Sequence, residues 1–374
     1  MTPVELVIVL ILLLLAVPDL CTRIGRPALA YTIYLLAGTL VGPVLDERVA
    51  VLLSEIGKIG FVLLLFEIGL DIDLPPSRHW WTPLKLAAKW LWPQYPVTMA
   101  LGLVAGLSLR ESVIAAVALN GCSLSMSFAP WQAFPVPGPE QKRHLMLWMV
   151  TLEIVAIVLL TAGDLYLKDG FGLALALRLL LVLAVVVVVS RSAERLMGVL
   201  GRVLGATTRW RMHYVVLFIL LISALGSRLG LAAPKTAFLL GLFVSRATHE
   251  GLALAHHLRP IGQRLLIPVF FLSLGAAVPV HLIFSQTGLL ALGAAGLLVG
   301  LRDHLHATSV KSGASRWAFL LACPNLTLVA IAAQTLVSLH AAPAVVGWLV
   351  LTGLVLSAGS VLALPTRPVP AQPE

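Results

Sequence analysis

The sequence predicts an all-α polytopic membrane protein of about 13 transmembrane helices, arranged as inverted repeats with two crossed, broken helices at spans 5 and 12. Three observations carry that prediction. Of the 374 residues, 59% are hydrophobic and 11% charged, against about 25% charged in soluble chains. Apolar runs long enough to cross a bilayer recur along the chain, and the gaps between them leave no room for a soluble domain. Turn chemistry interrupts two of these runs near their middles, at corresponding places in the two halves.

The first span, 4–20, has no basic residue before it and only Glu5 as an early charge, so it reads as a retained helix and not a cleaved leader. Span 28–42 follows. The third, 50–70, carries Glu55 and Lys58 three residues apart, near enough to pair on one face. Glu67, Asp71 and Asp73 at its end read either as a solvated boundary or as an acidic funnel for cations. Trp80, Trp81, Trp90 and Trp92 mark the start of span 84–107 as interfacial anchors.

The fifth span, 111–130, runs Ser112–Leu119, then Asn120-Gly121-Cys122-Ser123, then Leu124–Phe128. The sixth, 143–164, carries Glu153 in the run Leu145–Thr161, otherwise apolar except for Thr151. Spans 172–190, 212–229, 234–248, 264–280 and 286–301 come next, with five arginines from Arg191 to Arg211 suited to an anionic lipid surface. The twelfth, 316–338, reads Trp317–Ala322, then Cys323-Pro324-Asn325, then Leu326–Ala333. Span 343–363 closes the set, and the Pro-rich tail 365–374 is expected to be disordered.

The net charge of +9 invites a nucleic-acid partner, but its distribution excludes one. With the N-terminus outside, cytoplasmic loops hold nineteen Lys and Arg, while the opposite loops hold only Arg48, Arg110, Lys168, Arg228 and Lys235. That is the bias of a multispan inner-membrane protein with a cytoplasmic C-terminus. His79, His144, His213, His249, His256, His257, His304 and His306 fall in predicted cytoplasmic loops. Their titration range suits a pH sensor, and plain solubility accounts for them as well. Cys21, Cys122 and Cys323 form no disulfide framework or zinc spacing. No phosphate loop, Ser-His-Asp pattern or His-Glu-x-x-His occurs, so neither an enzyme nor a cofactor is expected.

Glu153 is the strongest functional candidate, because a charge at that depth is costly and marks an ion or proton pathway. Low dielectric penalises its ionised form, so the group can trade a proton for a cation. The breaks at spans 5 and 12 free backbone groups that must be buried in protein or face water. They lie seven spans apart, so the two helices run in opposite directions and point their ends at one another, where the end charges need neutralising. Asn120 and Asn325 sit beside the breaks with both donor and acceptor capacity. Ser123 and Thr151 offer oxygen to a hard cation or hydrogen bonds to neighbouring helices. Cys122 and Cys323 flank the breaks, as small packing residues or as soft-metal ligands.

Several runs resemble the monovalent cation:proton antiporter superfamily, in the branch of bacterial potassium-efflux and sodium/proton antiporters. They are Gly25-Arg26-Pro27, Leu35-Leu36-Ala37-Gly38-Thr39-Leu40-Val41-Gly42-Pro43, Leu63-Leu64-Leu65-Phe66-Glu67-Ile68-Gly69-Leu70-Asp71, Phe238-Leu239-Leu240-Gly241-Leu242 and Phe270-Phe271-Leu272-Ser273-Leu274-Gly275. Their order and spacing match along nearly the whole chain. The resemblance implies one transporter domain over residues 1–364. Spans 4–6 and 11–13 would form its core, spans 1–3 and 8–10 a dimerising panel, and span 7 a linker. It also implies a homodimer working by alternating access.

The departures are specific. Relatives carry Gln-Asp where this chain has Leu152-Glu153, Ser-Ser-Thr near Asn120-Gly121-Cys122-Ser123, Gly-Glu-Phe at Asn325-Leu326-Thr327, and Lys at the position that corresponds to Arg302. The expected activity is exchange of protons for Na⁺ or K⁺, with Glu153, Asn120, Ser123 and Thr151 binding the ion. Gly121, Pro324, Asn325 and Arg302 would support the breaks. One acid at the site makes the exchange electroneutral. The alternatives are an antiporter-like fold without coupled exchange and an anion carrier using Arg302.

Overall fold

The computed structural model describes residues 3–71, 81–134, 139–169, 211–228, 265–309 and 316–364, with short pieces of 233–241. Among these residues every regular element is helical, and none is a strand. The α-helices are α1 (Pro3–Arg23), α2 (Ala30–Val41), α3 (Glu47–Asp71), α4 (Trp81–Val104), α5 (Leu109–Asn120), α6 (Leu124–Ala133), α7 (Pro139–Asp169), α8 (Arg211–Arg228), α9 (Ile267–Ala276), α10 (Gln286–Ser309), α11 (Leu326–Ser338) and α12 (Pro343–Ala363). A 3₁₀ segment, Arg316–Ala322, precedes α11. Seven of the described segments are long and apolar enough to cross a membrane, among them Val4–Arg23, Glu140–Leu160 and Pro343–Ala363. Span 172–190, most of 234–248, the arginines from 191 to 209, Trp80, Asp73, His79, His249, His256, His257 and the tail lie outside the described residues.

The chain divides into two compact units. The first holds Met1–Leu14, Leu45–Pro75 and Lys168–Leu274. Here Val62, Leu63 and Phe66 of α3 bury against Ile219 of α8 and against Ala237 and Leu240. A side chain on Gly57 would strike Ser273, and one on Gly60 would strike Leu266. Small residues thus let α3 and α9 approach closely, with Phe61 stacked on Phe270 at 4.8 Å.

The second unit holds Leu15–Val44, Pro76–Leu167 and Gly275–Glu374. Its α4–α5 hairpin turns at Gly106, whose φ of +88° favours glycine. A reciprocal cap then starts α5: Ser108 Oγ accepts from Glu111 N and Glu111 Oε2 accepts from Ser108 N. Pro343, pre-set for a first helical turn, opens α12. Helix α10 packs on α12 and α4, and α11 packs on α12 and α5.

Three sequence expectations need correction. The eleventh span does not stop at 301: α10 continues to Ser309, so Arg302 and His306 belong to a helix and not to a loop. Both are buried, and the His306 ring lies 6.1 Å from Phe319. Trp90 is no interfacial anchor but packs edge-on against Trp148 at 4.9 Å, with both rings buried. Trp92 does face outward, 82% exposed. Glu67 is buried and not solvated, since its turn of α3 carries Phe66 into the cluster with α8. The Glu55–Lys58 pair is present at 2.6 Å.

Candidate ion-binding site

The two broken helices meet in the second unit. Helix α5 packs on α11, while α6 packs on the 3₁₀ segment, so the interrupted spans cross at their breaks. The crossing is fastened by main chain: Ser123 N donates to Pro324 O at 2.6 Å. Side chains reinforce it, with Thr327 Oγ1 donating to Ser123 Oγ at 2.6 Å and Cys122 Sγ to Leu321 O at 3.4 Å. Gly121 is required by crowding, because a Cβ there would strike Leu328 Cδ1 and lie 2.7 Å from the Ala156 Cβ of α7.

Each end at the first break meets a charge of the opposite sign. Leu124 N, at the start of α6, donates to Glu153 Oε2 at 3.2 Å. A carboxylate at a helix N-terminus is favoured by the free N–H groups and the helix dipole. The Leu119 carbonyl, at the end of α5, accepts from Arg302 Nη2 and from Asn325 Nδ2, both at 2.6 Å. Glu153 and Arg302 are both fully buried. With Glu153 ionised the two charges are opposite, and the pair adds no net charge to the unit's interior.

Arg302 is held by a polar bracket on α4 and α5. Its Nε donates to Gln94 Oε1 at 2.8 Å, and Nη2 also lies 3.5 Å from Asn120 Oδ1. Asn120 Nδ2 donates to Thr98 Oγ1 at 3.0 Å, and Gln94 Nε2 donates back to Trp90 O at 2.6 Å. The planar guanidinium fits such a divided set of acceptors in a way that a lysine would not. At the second break Asn325 pairs with Ser357 of α12: Asn325 N donates to Ser357 Oγ at 3.0 Å, and that hydroxyl lies 3.3 Å from Asn325 Oδ1.

The residues singled out in the sequence therefore separate. Glu153, Asn120, Ser123, Gly121, Pro324, Asn325 and Arg302 gather at the crossing. Thr151 is buried, but its hydroxyl donates to Leu147 O of its own helix at 2.7 Å. Gln94, Thr98, Thr327 and Ser357 complete the network and were not singled out. The one available signal was the spacing of Trp90, Gln94 and Thr98, which puts two amphipathic side chains on one face of α4. Among the described residues no cluster of three or more His, Cys, Asp or Glu is placed to hold a metal ion. The arrangement offers oxygen atoms and one carboxyl group, which is donor chemistry for a hard monovalent cation or a proton.

Known proteins agree with this architecture. The family described as "Sodium/hydrogen exchanger, transmembrane" matches residues 8–368. The chain is 23% identical over 297 residues to a protein named "Probable Na(+)/H(+) antiporter 3" of Methanocaldococcus jannaschii, covering 75% of this chain and 73% of that one. It is 22% identical over 288 residues to "Probable Na(+)/H(+) antiporter GerT" of Bacillus cereus, covering 75% of each. Its fold is similar to that of the sodium proton antiporter MjNhaP1 of Methanocaldococcus jannaschii, with a TM-score of 0.66 over 96% of both chains at 14% identity.

Proposed function

The chain belongs to the sodium/hydrogen exchanger family, transporters and not enzymes, and from that premise we propose that it exchanges protons for a monovalent cation, Na⁺ or K⁺, across the inner membrane. The observation that carries this reading is the buried Glu153 carboxyl against the first N–H of α6. Ionised, it is stabilised by the N-terminal end of that half-helix and attracts a cation. Protonated, it is neutral and releases the cation. Either occupant satisfies the buried site, and having both at once does not, which makes the exchange competitive.

Ser123, which precedes the Leu124 whose N–H meets Glu153, is the first candidate for a further oxygen ligand, from a hydroxyl that also accepts from Thr327. Asn120 and Thr151 would add oxygen from positions already bonded to Thr98, Arg302 and Leu147. Arg302, Asn325, Pro324 and Gly121 hold the crossing in shape. With a single acid in the network, one proton moves per cation and the cycle is electroneutral. The site would open alternately to each side, in a homodimer with its N-terminus outside and its C-terminus in the cytoplasm, as the loop charges require. Spans 4–6 and 11–13 would move as the core and spans 1–3 and 8–10 would stay as the panel, with span 7 between them.

The test is dye-reported ΔpH in everted vesicles on addition of Na⁺, K⁺ or Li⁺. Cation-dependent recovery is expected from the wild type, with Glu153→Gln reduced to the level of empty vesicles. Absence of recovery with every cation would instead support a fold retained without coupled exchange.

A further inference from the structure

We propose that the flank between α4 and the end of α10 binds the headgroup of an anionic phospholipid. A cavity of about 780 Å3 lies there, lined by Lys89, Leu91, Trp92, Pro93 and Tyr95 of α4 and by Thr308 of α10. The origin of the cavity is in the sequence. Pro93 and Pro96 stand inside α4, and having no N–H they deprive the carbonyls of Lys89 and Trp92 of their helical partners. The helix wall there carries two carbonyls that lack their usual amide donor four residues on.

Four further features identify the ligand. Tyr95 Oη is buried without a hydrogen-bond partner among the described residues, and a buried hydroxyl in that state is costly until an acceptor arrives. Lys89 is exposed and makes no ion pair among the described residues. Trp92, 82% exposed, is the kind of ring that sits at headgroup level. Thr308 stands next to the last residue of α10, so the cavity lies where that helix leaves the apolar layer. One cation and a phenol donor suit a phosphodiester, while Leu91, Pro93 and the Trp92 ring suit the start of acyl chains. A free inorganic anion would leave those apolar walls bare.

The orientation proposed above puts this end in the cytoplasmic leaflet, where anionic lipid supplies the charge. A bound headgroup would brace α4 against α10, the two helices joined deeper in by the Gln94–Arg302 bond.

The test uses the full chain purified in neutral detergent, with thermal unfolding followed on addition of phosphatidylglycerol, phosphatidylcholine or inorganic phosphate. Phosphatidylglycerol is expected to raise the midpoint by several degrees, and the other two by much less. Lys89→Gln, at an exposed and unpaired position, should lose at least half of that shift. Lys89→Arg should keep it, as should Lys85→Gln, which alters an exposed lysine of α4 outside the cavity. Tyr95→Phe should lose part. No shift with phosphatidylglycerol, an equal shift with phosphatidylcholine or with phosphate alone, or a full shift in Lys89→Gln would each overturn the proposal. The readout is independent of transport, so either result leaves the exchange assay to be judged separately.

Discussion

At the Asn120–Ser123 break the loose helix ends meet formal charges, whereas at the Cys323–Asn325 break the main-chain ends meet neutral groups and Arg302 reaches only the Cys323 thiol. Glu153 receives the first N–H of α6, and Arg302 donates to the Leu119 carbonyl near the end of α5. Helix α11 starts on Asn325, which makes no side-chain cap, and the surrounding bonds come from Ser357, Ser123 and two thiols. Both breaks are fully buried and both expose main-chain groups, so both needed partners. Among these partners Glu153 is the single carboxyl group. On the exchange reading, proton chemistry is confined to the first break, and the second serves as its rigid counterpart.

Substitutions can break or sharpen that contrast. The largest effect falls on Glu153: Glu153→Gln should remove all cation-dependent proton movement, while Glu153→Asp, one methylene shorter, should retain it with weaker cation affinity. Dye-reported ΔpH over a cation titration separates the two. Next is Arg302→Met, which strips a buried cation from Gln94, Leu119 and Asn120. It should lower stability by about 3–5 kcal/mol, the usual scale for breaking a buried charge arrangement, measured as the loss of folded protein on heating in detergent. Arg302→Lys should recover only part, since a point charge cannot reach the same divided acceptors.

Smaller effects are expected at the uncharged residues of both breaks. Gly121→Ala, which crowds Leu328 and Ala156, should cost about 1–3 kcal/mol as overpacking and depress exchange with it. Asn325→Ala removes the amide from Leu119 O and from Ser357, for about 1–3 kcal/mol, but should leave the cation preference of the vesicle assay unchanged. Cys122→Ala, whose thiol makes a 3.4 Å contact with Leu321 O, should change the unfolding midpoint least. If Asn325→Ala altered cation preference as strongly as Glu153→Asp, the contrast between the breaks would be lost.

The breaks were legible in the sequence because their chemistry is local. Asn-Gly and Pro-Asn cannot continue a helix comfortably, whatever surrounds them. Glu153 was legible because an acid amid sixteen uncharged neighbours of its run stands out by cost alone. The bracket around Arg302 was not. Gln94 lies 208 positions away in the chain, and nothing in a lone glutamine on an apolar helix announces a partner in another span. The stretch after Gly300, Leu301-Arg302-Asp303-His304-Leu305-His306, reads as a polar loop because its charges are counted without their direction. In the structure Arg302, Leu305 and His306 are buried while His304 points outward. Periodicity, and not composition, held that information.

The hydrogen bond from Ser123 N to Pro324 O joins peptide groups, so it does not depend on which side chains stand at either position. Replacement of Ser123 by any residue except proline keeps the donor, and Pro324 contributes only its carbonyl. The lettering at those two positions can thereby change without breaking this bond, whereas Gly121 beside them has no such freedom. A chain that reads Asn-Gly-Cys-Ser at this point keeps its junction through peptide groups alone.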